Sequence, residues 1–160
     1  MDTEKLQELI LFIANHPNVT DLGLTKLYKL IYFADVECLR ALGQTATGSE
    51  YIKYEHGPVP SRGEKQLKML RKAGALVTVK EPYGAYFIER VIAKEGGAPN
   101  VFSPQELQVL EHVCQRCGNQ TASYLSELSH LEPAWHYAQL HDKLAAELMA
   151  YGYEEEAACL

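Results

Sequence analysis

The chain reads Leu27-Tyr28-Lys29-Leu30-Ile31-Tyr32-Phe33-Ala34-Asp35, passes Gly43 and Thr47-Gly48-Ser49-Glu50-Tyr51, and continues as Tyr54-Glu55-His56-Gly57-Pro58-Val59-Pro60 before Ser61. This stretch decides the fold. Leu24, Leu27, Tyr28, Ile31, Ala34, Cys38 and Leu42 recur at three-to-four spacing, which predicts a long helix. Leu30, Phe33 and Val36 carry apolar surface further round the cylinder, so the helix is expected to be central and buried on several sides. Asp21 is the expected N-cap and Gly43 the C-terminal stop. Residues 51–55 read as a short strand. The Gly-Pro-Val-Pro run after it reads as a sharp, rigid turn, because proline fixes φ and glycine reaches positive φ. Ser61-Arg62-Gly63-Glu64 has capping-box spacing. A helix is therefore predicted over 61–73, with Leu67 and Leu70 inward and Arg62, Lys65, Lys68, Arg71 and Lys72 outward.

Upstream, Leu6, Leu9, Ile10 and Ile13 share one face of an amphipathic helix over 3–14, ended by Asn15-His16-Pro17 because a residue before proline leaves the helical region. Downstream, 75–79 and 85–88 are strand-like around Pro82-Tyr83-Gly84, so they read as a β-hairpin. Residues 94–100 read as a linker or exposed loop. Ser103-Pro104-Gln105-Glu106 opens a helix with a cap, a first-position proline and a capping-box glutamate. Gly118-Asn119 ends it. A short helix follows from about residue 121 or 123, Pro133 opens a further turn with Trp135, Tyr137 and Leu140, and a last helix is expected over 142–151. Residues 154–160 read as a tail.

The expected fold is mainly α with a small antiparallel β-sheet or hairpin, an α+β arrangement in one compact domain over 1–153. Its N-terminal helices and hairpin occupy 1–93 and a C-terminal helical part occupies 101–153. A basic helix followed by a hairpin also makes the arrangement partly winged-helix-like.

The 160 residues carry a net charge of −6, unevenly spread. Residues 51–100 hold nine basic and five acidic side chains, whereas 101–160 hold two basic and nine acidic. The middle third can present a basic face, but the chain as a whole repels nucleic acid. Nucleic acid is therefore not the expected partner. No run approaches the roughly 18 apolar residues of a membrane span, and the acidic, amphipathic start is unlike a secretory signal. A cytoplasmic protein without a membrane partner is expected. The four cysteines do not form a disulfide framework and read as buried reduced thiols.

The ordered string from Leu27 to Val59 resembles the Panacea domain, also called the SocA-like antitoxin or phage-associated GepA-like family. A second block, Leu125-Ser126-Glu127-Leu128-Ser129-His130-Leu131-Glu132-Pro133-Ala134-Trp135, is similar to that family's second block. The resemblance implies a module that neutralises a cognate toxin, encoded by an adjacent gene, through direct stoichiometric contact. It also implies, for some members, a proteolytic adaptor that hands the toxin to a protease. Homo-oligomerisation is left open. The motif falls on Tyr32, Asp35, Gly48, Tyr51, His56, Gly57, Pro58 and Val59, with His130, Glu132 and Trp135 in the second block. Tyr32, Asp35, Gly48, Tyr51, His130, Glu132 and Trp135 are read as structural. Tyr54, His56, Gly57, Pro58, Val59, Arg62 and Lys65 are the candidate partner-binding residues, with His56 polar and held on a rigid corner.

No catalytic set can be argued from spacing, so the chain is not expected to be an enzyme, and no cofactor is implied. Cys114-x-x-Cys117 followed by His136 and His141 invites a zinc reading, but the cysteines sit on a helical apolar face and the spacer is too long, so no metal is expected. The alternative function is a winged-helix-like DNA-binding regulator, in which the cations of 61–73 contact phosphates.

Overall fold

A computed structural model describes residues 2–152. Helix α1 (Thr3–Asn15) is capped by the Asp2 carboxylate, which accepts from the Lys5 amide at 3.1 Å. It buries Leu6, Leu9, Ile10 and Ile13, as the periodicity predicts. Helix α2 (Leu24–Leu42) is the central element, buried through Leu27, Leu30, Ile31, Tyr32, Phe33 and Val36. Gly43 ends it at φ 81°, a left-handed conformation that glycine adopts without strain.

The start of α2 corrects the expected cap. Asp21 stands outside the helix at φ 49°, and its carboxylate pairs with Arg90 at 3.1 Å. Gly23 is the cap residue and contributes no side-chain bond; its backbone bridges to Arg90 instead. The tertiary pairing fixes the entry of the chain and takes the aspartate away from the helix end.

Strands β1 (Tyr51–Tyr54) and β2 (Gly57–Pro60) form a tight antiparallel hairpin pairing Tyr51 with Pro60 and Tyr54 with Gly57. The expected turn through Pro60 is therefore a strand, and the corner is confined to Glu55-His56. Bonding pairs alternate along such a ladder. The Ser61 amide donates to the Glu50 carbonyl at 2.9 Å, which puts Val59 and Gly57 at bonded positions facing β1. Pro58 and Pro60 fall between them, where a missing N–H costs no ladder bond. The free edge of β1 is covered by 141–144: the Lys53 amide donates to Asp142 O at 3.0 Å, and Lys53 O and Tyr51 O accept from the amides of His141 and Leu144, each at 2.8 Å.

Helix α3 (Gly63–Lys72) begins without the expected capping box, since Arg62 is its cap residue and no side chain closes the end. Strands β3 (Leu76–Tyr83) and β4 (Tyr86–Ala93) form a longer hairpin than expected. It runs through Pro82 and Tyr83 to a two-residue turn with Gly84 at φ 60°. The segment expected as a linker holds a 3-10 turn at Pro99–Val101, and the Glu8 carboxylate accepts from the Ala98 amide.

Helix α4 (Pro104–Cys117) shows the full Ser103–Glu106 capping box, and Glu106 also takes the Lys5 ammonium at 2.9 Å. Helices α5 (Ala122–His130), α6 (Pro133–Tyr137) and α7 (Ala146–Met149) complete the described chain. The last helix expected over 142–151 shrinks to one turn, because the residues before it serve as an edge for β1. The tail from 154 lies outside the described residues.

One hydrophobic cluster joins α1, α2, α4 and α5, from Leu6 to Leu128, and reaches Met149. The α+β expectation holds, with two small antiparallel hairpins set among helices. Cys38 and Cys114 are free and buried. Cys117 is buried but is not a free thiol, which departs from the expectation of reduced cysteines throughout. Among the described residues no helix is long and apolar enough to cross a membrane.

Candidate functional site

Three polar assemblies lie among the packed elements, and two of them hold the β1–β2 hairpin. The first is a latch. Asp35 on α2 is fully buried and accepts from the Thr47 amide at 2.8 Å, the Thr47 hydroxyl at 2.6 Å and the Tyr51 hydroxyl at 2.6 Å. Burial pushes its carboxyl up, while the bonds from Thr47 and Tyr51 pull the other way. The loop before β1 and the first residue of β1 are thereby tied to the central helix. Tyr32 packs edge-on against Tyr51, ring centroids 5.1 Å apart. Gly48 turns the loop at φ 66°.

The second assembly is an ion pair. Arg40, near the end of α2, pairs with Glu132 at the start of α6 and with Glu37 at 2.9 Å. It also donates to the carbonyls of Met149 and Tyr151, at 3.3 and 3.0 Å. One guanidinium therefore gathers α2, α6 and the end of α7, using the several donors of a rigid fork.

The third assembly braces the corner itself. Trp135 stacks on His130, centroids 4.0 Å apart and planes 16° off parallel. Its indole N–H donates to Tyr54 O at 3.1 Å, and the Lys53 ammonium lies 4.0 Å above its ring. His130 is hydrogen-bonded to the backbone at Glu55, while its Nε2 is buried without a partner among the described residues. Burial lowers the His130 pKa, the backbone bond at Glu55 opposes this, and the charges of Lys29, His56 and Lys53 lower it further. From α2, the buried Lys29 ammonium donates to Pro58 O at 2.5 Å. That carbonyl is one that β2 turns away from β1. Gly57, at φ 111°, lets Lys29 and Ser129 approach the backbone more closely than any side chain would allow.

The structure thus brings the two sequence blocks together: Ser129, His130 and Trp135 stand behind the corner that Tyr54-Glu55-His56-Gly57 forms. Tyr54 and His56 are exposed, Val59 is half-buried, and Gly57 and Pro58 are buried. Those last two act through backbone shape and have little side-chain surface to offer. Arg62, at the cap of α3, and Lys65, on α3, are exposed. Lys68 pairs with Glu64 at 3.0 Å and Arg71 donates to Thr78 at 2.9 Å, so part of the basic face is already engaged. A cavity of about 420 Å³ opens beside the corner, lined by Thr25, Tyr28 and Lys29 of α2 and by Tyr54, His56 and His141.

The sequence reading missed Lys29, Ser129 and Lys53. Lysine normally reads as solvated, yet Lys29 lies between Leu27 and Leu30 in a helix apolar on several sides, and that context was the available signal. Among the described residues no group of three or more His, Cys, Asp or Glu side chains is gathered as a metal site.

The model of the family described as antitoxin SocA-like, Panacea domain, matches residues 27–136, from the middle of the first turns of α2 to α6. The chain belongs to this family. The match covers the latch, the corner and its brace, so this Panacea domain is built around the β1–β2 hairpin and the helices that hold it. Membership supports an antitoxin-like role in general terms. No curated protein and no solved structure matches the Panacea domain described here.

Proposed function

We propose that this Panacea domain neutralises a cognate toxin, encoded by an adjacent gene, by direct stoichiometric binding. The β1–β2 corner is its contact point, with Arg62 and Lys65 as flanking cations. The observation that carries this reading is the asymmetry of the corner. Its back is locked by Trp135, His130, Lys29 and the Asp35 latch, while its front presents Tyr54 and His56 to solvent. A surface held rigid before binding loses little entropy on association, and an aromatic beside a cavity suits an interface anchor. Toxin masking requires affinity without turnover, which matches a surface of this kind.

The test is co-expression with each flanking gene, then pull-down on this chain and measurement of the toxin's half-life. A flanking product toxic alone, tolerated with this chain, co-purifying with it and undiminished in half-life is the expected result. Loss of toxin by degradation would make the chain a proteolytic adaptor. Failure of every flanking product to be suppressed or retained would remove the reading.

A further inference from the structure

Lys29 is a buried cation without a counter-charge. It is 1% exposed, and among the described residues no carboxylate lies within ion-pair distance of it and Pro58 O is its one hydrogen-bond acceptor. An ammonium has three donors, so the other two N–H groups have no protein acceptor there. Burial brings its pKa down to about 7, with no neighbouring charge offsetting the effect. Lysines this deeply buried are ordinarily paired. This one lines a cavity open to solvent.

His56 and His141 line the same cavity, and Lys53 and His130 stand behind its wall. Among the described residues the acid lining the cavity is Glu55, which is exposed, and Tyr28 and Tyr54 also line it. One buried positive charge, with a carboxylate at the mouth, suits a single negative charge better than a dianion. We propose that this cavity is a receptor for one carboxylate, presented by the toxin as an acidic side chain, with the Lys29 ammonium as its counter-charge. The source of the carboxylate rests on the antitoxin reading; the site itself does not. The acid would enter between α2 and the corner and meet the two free N–H groups of Lys29, with the Thr25 hydroxyl on the wall.

Sodium acetate is the probe. It is titrated into the full chain at about pH 6, where the ammonium is charged, against sodium chloride at equal ionic strength. The Lys29 side chain and the ring resonances of His56 and His141 are followed by NMR. A saturable response to acetate, absent with chloride and lost in Lys29→Met, is expected. Thr25→Phe narrows the cavity while leaving Lys29 in place, and should abolish the response even if Lys29→Met does not fold. An acetate response equal to that of chloride, or one kept by either variant, overturns the site. With a toxin in hand, Lys29→Met should weaken the complex about tenfold or more. Unchanged affinity would discard the acidic anchor while leaving the antitoxin reading intact. If no toxin is found, the acetate titration still decides the site.

Discussion

A β-carbon placed on Gly57 would stand 2.6 Å from Cε of Lys29 and 2.3 Å from Oγ of Ser129. The corner of the β1–β2 hairpin is thus pressed against two helices at a point where only glycine fits. Two costs add in Gly57→Ala: strain at φ 111° and overpacking against a buried lysine and a buried serine. Together they should destabilise the protein by about 2–4 kcal/mol. Gly84→Ala is the internal control, since it has φ 60° but nothing within 4 Å, and should cost about 1 kcal/mol. Urea unfolding of both variants checks the difference; equal losses would mean that the contact with Lys29 and Ser129 contributes nothing.

Arg40 and Glu132 form an ion pair with 20% and 10% of their side chains exposed. Removing one partner leaves the other charge partly buried and unpaired. Arg40→Met should cost about 3 kcal/mol, and Glu132→Gln somewhat less because the amide can still accept from the guanidinium. Replacing both, as Arg40→Met with Glu132→Gln, should recover part of the loss, because the second change removes the charge left unpaired by the first. A double-mutant cycle by chemical denaturation measures it, and strict additivity of the two single costs would argue against a coupled pair.

Some of this architecture was legible in the sequence. The apolar repeat from Leu24 to Leu42 and the Ser103–Glu106 box are local signals, and the structure keeps both. The aromatic strand after Gly48 was legible for the same reason. The strand at Gly57-Pro58-Val59-Pro60 was not, because prolines at alternate positions carry the composition of a turn. What makes them a strand is the phase of the ladder, a property of the partner. The segment at 141–144 pairs with a strand some 90 residues earlier, so no local pattern announces it. Asp21 and Ser61 had the right residue types for caps, and tertiary pairing overrode both. For the site, Tyr54 and His56 were candidates from the sequence, and the structure places both as exposed residues at the corner. Lys29 was passed over because its burial is set by the hairpin folded across α2.

Lys29 gives stability a pH dependence of definite sign. Its pKa is about 7 in the folded chain against an ordinary 10.5. Between those values the unfolded chain holds more protons than the folded one, so stability rises with pH across this window. The slope from this group reaches at most about 1.4 kcal/mol per pH unit. Below about pH 7 both states are protonated and the penalty is complete. Lys29→Met loses the bond to Pro58 O, which shifts its stability by a constant, but it also loses this slope. The stability of Lys29→Met relative to the parent should therefore be highest below pH 7 and fall steadily as pH rises to about 9. Parallel curves for the two proteins across that range would show that Lys29 is not perturbed.

Trp135 is the single tryptophan of the chain, and it stacks on His130 at 4.0 Å, so its emission reports on the brace behind the corner. Burial and the nearby charges of Lys29, His56 and Lys53 lower the His130 pKa below its usual 6.5, against the backbone bond at Glu55. A neutral imidazole leaves the indole bright, whereas an imidazolium in face contact quenches it by electron transfer. Emission should therefore stay constant from neutral pH downward and drop only below pH 6.5, with the fold still intact by circular dichroism. His130→Gln should remove that step. Binding of an acidic group at Lys29 places a negative charge beside the same cluster, which favours the protonated imidazole and moves the step to higher pH. Acetate should shift the transition upward in the parent protein and leave it in place in Lys29→Met. A step unmoved by acetate would separate the brace from the cavity, leaving Trp135 a reporter of the corner's rigidity alone.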